Sequence, residues 1–198
     1  MLMSLYERLF RKDDLKMQEE KFSLAKQVEN KNDRDYIYNH IKDTRIKIDE
    51  QKEEDAITLI ESKRLMGWDY ATTSILGVLF EEANVVRGNV ELWKTKPYPH
   101  AWLEININGL VYCFDPCFNI ICLRCDFNKI FKPKIDAKIP VKNIKEKIIK
   151  YFNNYSETRM FIRGTNDINA EFYKFLAIIT ADIDNDIIKN LRVKYYYN

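Results

Sequence analysis

The sequence predicts an α+β fold in which a buried helix packs on an antiparallel β-sheet. Apolar residues after Asp69 recur at the spacing expected for one face of a buried helix: Ile75, Leu76, Leu79, Phe80 and Ala83. Further along, two runs of alternating residues flank Asn108–Gly109, a dipeptide typical of a tight hairpin turn. The expected core is therefore a helix laid on a sheet that contains this hairpin.

The elements before this core are predicted to be helical. Residues 1–33 are charged and helix-prone, and we interpret them as an extension of one or two surface helices, with a partner-binding helix as the alternative. Residues 34–198 are then the main domain. Residues 35–48 form another helix or part of a loop, and residues 54–66 form a helix that ends before Gly67.

The buried helix is predicted to start at Asp69 and to continue through Ala83. Asp69 is suited to the N-cap position, because its carboxylate can accept hydrogen bonds from the free N–H groups of a first helical turn. Strands are expected at 90–95, in the hairpin and at 119–123. Residues 142–151 and 169–181 are predicted to be C-terminal helices.

The Asn108–Gly109 turn fixes the register of the hairpin. A two-residue turn pairs Ile107 with Leu110, and alternation then places Ala101, Leu103, Ile105 and Ile107 on the core side. His100, Trp102 and Glu104 are predicted to point to the opposite side.

The same register places Asp115 diagonally across from His100. Diagonal neighbours in a sheet have β-carbons about 7–8 Å apart, within reach of a hydrogen bond between imidazole and carboxylate. Such a carboxylate orients a catalytic histidine and stabilises its protonated form. The alternative is a surface histidine beside an aspartate at the end of a strand.

These residues resemble the His and Asp segments of the transglutaminase-like superfamily, which is related to the papain-like cysteine enzymes. The similar strings are His100-Ala101-Trp102-Leu103-Glu104, then Asn108-Gly109, Tyr112 and Asp115-Pro116, and the resemblance covers residues 54–123. In that family a Gly-x-Cys motif opens a buried helix and supplies the nucleophile. The corresponding residues here are Gly67-Trp68-Asp69.

The nucleophilic cysteine of the family is therefore replaced by Asp69. The resemblance implies a catalytic set of His100, Asp115 and Asp69 that has lost its thiol, with predicted binding residues Trp68, Tyr98 and Trp102. The expected function is a catalytically degenerate domain that binds a peptide or protein partner in the former active-site cleft. The alternative is an active peptidase, amidase or acyltransferase that uses a displaced thiol, such as Cys117, or Asp69 itself.

Composition argues against several other functions. The chain has 32 basic and 30 acidic residues, a balance that does not favour nucleic acid or a membrane surface as partner. The lysines between 129 and 150 are interpreted as a solvated face. No apolar segment of signal-peptide or membrane-spanning length occurs in the sequence, so a cytoplasmic location is expected. Only Cys122 and Cys125 have zinc-ligand spacing, and neither a metal nor another cofactor is expected.

Overall fold

The computed structural model describes residues 5–47, 53–65, 69–143, 145 and 160–161. The helices are α1 (Leu5–Gln27), α2 (Lys31–Ile41), α3 (Ala56–Glu61), α4 (Asp69–Gly77) and α5 (Arg124–Phe131). The strands are β1 (Arg45–Lys47), β2 (Glu53–Asp55), β3 (Ala83–Val90), β4 (Tyr98–Ile107), β5 (Leu110–Asp115), β6 (Ile120–Leu123), β7 (Lys134–Pro140) and β8 (Met160–Phe161). The predicted helix at 169–181 lies outside the described residues, and the one at 142–151 lies largely outside them.

The main sheet has five antiparallel strands in the order β6-β5-β4-β3-β7. A smaller sheet has the order β2-β1-β8, with β1 and β8 parallel. The α+β prediction is confirmed at this level. No helix in the described ranges is both long enough and apolar enough to cross a membrane.

Helices cover both faces of the main sheet. One apolar cluster joins residues of α2, α3 and α4 to Leu103, Ile105 and Ile107 of β4. The other joins Ala25 of α1 and two phenylalanines of α5 to Trp102 of β4. The predicted alternation of β4 is thus confirmed, and the face that carries His100 and Trp102 is as deeply buried as the other.

The hairpin has the predicted register. Ile107 pairs with Leu110, and Leu103 pairs with Phe114. Asn108 and Gly109 have φ angles of 53° and 83°, the left-handed values that a two-residue type I′ turn requires. Local turn chemistry therefore determines where β5 lies against β4.

The prediction that the buried helix continues through Ala83 is wrong. α4 ends at Gly77. In the turn that follows, N–H groups bond to the carbonyl three residues earlier, as Phe80 N–H does to the Gly77 carbonyl at 3.0 Å. Ala83 begins β3, a strand buried on both faces: Ala83 and Val85 join one apolar cluster, and Val86 and Val90 join the other. β-Branched residues such as Val85 favour that conformation. The turn side chains happen to continue the helical spacing, so periodicity alone misplaced this boundary.

Other helix and strand boundaries in the structure also differ from the predicted ones. The strand expected at 90–95 is instead β3, which ends at Val90, and the helix expected at 54–66 is the shorter α3. Asp55 caps α3, because its side chain accepts from Thr58 N–H at 2.9 Å. The region 35–48 contains the end of α2 and the strand β1. Residue 33, the predicted end of the extension, lies within α2; the division of the chain into an extension and a domain stays a prediction.

Candidate functional site

Three elements bring Asp69, His100 and Asp115 together. Asp69 is the first residue of α4, His100 is the third residue of β4, and Asp115 ends β5. Nε2 of His100 lies 2.6 Å from Oδ2 of Asp115, and Nδ1 lies 3.2 Å from Oδ2 of Asp69. The imidazole therefore has a carboxylate at each ring nitrogen.

The two carboxylates hold the imidazole unequally. The Asp115 contact has the length and direction of a hydrogen bond. The Asp69 contact is within ion-pair distance, but Nδ1 has no well-directed hydrogen-bond acceptor. We therefore treat Asp115 as the stronger partner and Asp69 as a neighbouring charge.

The pKa of His100 is raised. Burial by itself lowers the pKa of the imidazole, but the charge and hydrogen bond of Asp115, followed by the nearby carboxylate of Asp69, outweigh it and raise the value to about 10. At neutral pH the ring is an imidazolium, which donates a hydrogen bond from Nε2 to Asp115.

The turn after β5 orients Asp115. Oδ1 of Asp115 accepts from the N–H groups of Cys117 at 3.0 Å and Phe118 at 3.1 Å, the pattern of an Asx turn. Its other oxygen is then directed at His100. The ring of Phe118 stacks on the imidazole with centroids 4.4 Å apart, so the same turn supports the histidine from its flat side.

Asp69 binds β4. Its Oδ2 accepts from the N–H of Ala101 at 3.1 Å. The sequence predicted Asp69 as the N-cap of the helix, whereas the structure places it as the first residue of α4. Thr73, one turn further along α4, donates to the carbonyl of Ala101 at 3.4 Å. These bonds fix the start of α4 against the strand segment that carries His100.

The site is almost closed to solvent. The side chains of His100 and Asp115 are each 1% exposed, and that of Asp69 is 11% exposed. Tyr98 is half-buried and its ring centroid is 5.6 Å from that of His100. Asp69 and Tyr98 therefore mark the side from which the cluster can be approached.

Two of the other predicted site residues have different outcomes. Trp102 is 1% exposed and packs on Phe127 of α5, so a partner that leaves the fold intact cannot contact its ring. Trp68 lies outside the described residues. Phe118 was not among the predicted site residues, although the Asp115-Pro116-Cys117-Phe118 string is typical of an Asx turn.

The cysteines lie on β5, on β6, on α5 and in the turn after β5. The thiol of Cys117 is buried and donates to the carbonyl of Leu65 at 2.9 Å. Burial raises the pKa of Cys113 well above its usual range and that of Cys122 to about 12. Cys125 is exposed on α5. In the part of the chain that the structure describes, no group of three or more His, Cys, Asp and Glu residues could hold a metal ion.

Comparison with protein-family models, curated proteins and solved structures finds no match to this chain. The resemblance to the transglutaminase-like superfamily therefore stays a prediction that rests on residues 54–123 alone.

Proposed function

We propose that this protein is a catalytically degenerate transglutaminase-like domain that binds a peptide or protein partner beside its former active site. The observation that carries the proposal is the position of the Asp69 carboxylate. It lies against Nδ1 of His100, while Asp115 occupies the other ring nitrogen. In a cysteine enzyme of this superfamily, a thiolate at a helix N-terminus would stand where Oδ2 of Asp69 stands.

The surroundings of Asp69 suit an anion. The N-terminus of α4 has a partial positive charge, which lowers the pKa of a thiol and stabilises a carboxylate equally well. The Ala101 N–H donates to the same oxygen. Replacement of a thiolate by Asp69 thus preserves the charge at this position and the ion pair with His100.

The chemistry of this cluster opposes acyl transfer. A carboxylate is a much weaker nucleophile than a thiolate, and its attack on an amide would form a labile anhydride. Loss of the nucleophile from a catalytic triad typically lowers kcat by about 10⁶-fold.

The alternative enzyme with a displaced thiol has less support. Cys117 is the displaced thiol that the sequence suggested, but it is buried and donates a hydrogen bond to the Leu65 carbonyl. A nucleophilic thiolate is typically partly exposed and lies in an electropositive environment. The arrangement of Cys117 is that of a packed core thiol.

The partner-binding part of the proposal rests on the half-buried aromatic residues near the site. Trp93 and Tyr98 are half-buried and in edge contact, with ring centroids 4.8 Å apart. Lys96 lies over the Trp93 ring, 5.5 Å from its centroid. Tyrosine and tryptophan are enriched at protein-binding surfaces.

The substitution Asp69→Cys tests the alignment. It should be made together with Cys125→Ser, because Cys125 is the exposed thiol of the described residues. We expect the new thiol to react with iodoacetamide at about pH 6, where an ordinary thiol is protonated, and we expect His100→Gln to abolish this reactivity. An ordinary, His100-independent rate would mean that residue 69 does not occupy the nucleophile position.

A second measurement tests the loss of catalysis. The wild-type chain should not hydrolyse or transamidate peptide and glutamine substrates. Turnover by the wild-type chain that disappears in His100→Ala would show that the site is active and would overturn the proposal.

A further inference from the structure

The turn between β5 and β6 carries two of the residues that contact His100. Asp115 pairs with Ile120 across these strands, so residues 116–119 form the turn. Asp115 lies at its start and bonds to the imidazole, and Phe118 within the turn stacks on the same ring. Connecting segments are more mobile than the strands they join. The position of both contacts therefore depends on what holds this turn in place.

Asn119, the last residue of the turn, binds α2. Its φ of 56° is in the left-handed region, which asparagine adopts more readily than most residues. Its Oδ1 accepts from Nη1 of Arg34 at 2.8 Å and from the hydroxyl of Tyr38 at 3.0 Å. Its carbonyl accepts from Nη2 of Arg34 at 3.5 Å. Both the side chain and the backbone of one turn residue are thus held by α2.

Arg34 is itself held in place. Its guanidinium pairs with the carboxylate of Glu29, and the side chains of the two residues are 15% and 13% exposed. The same guanidinium donates to the Tyr38 hydroxyl. Arginine carries its N–H donors in a rigid planar fork, so one side chain can bind Glu29, Tyr38 and Asn119 together. A lysine has no such fork and could not replace it in this role.

α2 is a firm support for these contacts. Its residues Ile37 and Ile41 are fully buried in the apolar cluster that also contains Leu103 of β4. Because these apolar contacts fix α2 on the sheet, α2 is expected to keep its place when Arg34 is replaced. The hydrogen bonds of Arg34 then connect a fixed helix to the turn.

We propose that Arg34 is a positioning residue for His100, and that it acts through Asn119 on the turn that carries Asp115 and Phe118. Arg34 sets where the turn lies against β4, and the turn sets where its carboxylate and its phenyl ring meet the imidazole. This inference goes beyond the proposed function, because it concerns how the site is held together and does not depend on what binds beside it.

Positioning and a direct charge effect predict opposite changes at His100. A nearby positive charge lowers the pKa of an imidazole, so loss of the Arg34 charge alone would raise the pKa of His100. A displaced turn would weaken the contact between Asp115 and His100, which would lower that pKa. Asp69, the other carboxylate beside the ring, is unchanged in either case. The direction of the change therefore separates the two effects.

A nitrogen NMR titration of the full chain tests the inference. All variants carry His40→Gln, so that His100 is the only imidazole. In Arg34→Met the pKa of His100, about 10 in the unaltered site, should fall by about one pH unit or more. The matched control is Lys26→Met, because Lys26 pairs with the same Glu29 at 3.1 Å from an exposed position on α1. The control should leave the pKa of His100 unchanged.

A second variant removes the other half of the contact. Asn119→Gly keeps the left-handed backbone, which glycine adopts without strain, but it removes the oxygen that Arg34 binds. The pKa of His100 should fall as it does in Arg34→Met, and the double variant should lower it no further, since both changes break one contact. If Arg34→Met does not fold because Glu29 is left unpaired, Glu29→Gln with Arg34→Met replaces it, and Glu29→Gln alone is then the control.

Three results would overturn the inference. An unchanged or raised pKa of His100 in a folded Arg34→Met variant would mean that Arg34 contributes only to stability or only by its charge. An equal fall in Lys26→Met would assign the effect to the surroundings of Glu29. Independent, additive falls in Arg34→Met and Asn119→Gly would show that Arg34 does not act through Asn119. The alignment of Asp69 is tested separately, because no variant here changes residue 69.

Discussion

Substitution of Asp115 by asparagine should change the pH dependence of folding stability in a defined way. Asparagine keeps the oxygen that accepts from the Cys117 and Phe118 N–H groups, but it removes the negative charge at Nε2 of His100. The change therefore isolates the ion pair from the turn that positions it.

The magnitude follows from the pKa of His100. The rise from 6.5 to about 10, at about 1.4 kcal/mol per pKa unit, sets an upper limit of about 5 kcal/mol. Because the folded pKa lies above the unfolded one, this stability is complete below about pH 6.5 and is lost as the pH rises toward 10. Removal of one partner from a buried pair typically costs about 3–5 kcal/mol.

Urea unfolding between about pH 6 and pH 10 measures this effect. The difference in free energy of unfolding between wild type and Asp115→Asn should be about 3–5 kcal/mol at pH 6 and should shrink to about 1 kcal/mol at pH 10. Asp43→Asn is the control, since Asp43 is exposed and the change in charge is the same. A difference that stays constant over this range would refute the assignment of an ion pair to His100.

Two further substitutions test the geometry by urea unfolding. Asp69→Asn should lower the free energy of unfolding at pH 6 by a smaller amount, about 1–2 kcal/mol, because Asp69 contributes less to the pKa of His100 and is partly exposed. A larger loss in Asp69→Asn than in Asp115→Asn would show that Asp69 is the stronger partner of His100. Gly88→Ala should cost about 3 kcal/mol, because its β-carbon would lie 2.3 Å from the carbonyl oxygen of Lys134. The control is Gly109→Ala, where an added β-carbon meets open space and only the positive φ is unfavourable, so the cost should be about 1 kcal/mol. Equal losses of stability in Gly88→Ala and Gly109→Ala would contradict the close approach of β7 to β3.

The sequence predicts those parts of the site that local chemistry controls. The Asn108–Gly109 turn admits one register, and that register alone brings His100 within reach of Asp115. The hydrogen bond between them was therefore predictable from positions in the chain. Asp69 was predicted to join them only through the family resemblance.

The remaining features depend on tertiary packing. The end of α4 at Gly77 could not be read from apolar spacing, because Leu79 and Phe80 face the core from a turn. The contact of Asp69 with Ala101 arises only when α4 lies on β4. The inner side of α1 includes Asp14, Gln18 and Lys21, too many polar residues to predict a buried face from the sequence. Its place is set by contacts with distant parts of the chain, such as those of Asp14 with Thr95 and of Phe22 with Phe118.

The most direct test of the central claim is the protonation state of His100. The chain has 2 histidines, so a His40→Gln variant leaves a single imidazole whose ring nitrogens can be followed by nitrogen NMR. We predict that both Nδ1 and Nε2 of His100 carry protons at about pH 8, where an ordinary histidine is neutral. A neutral ring at that pH would contradict an imidazolium held between Asp69 and Asp115.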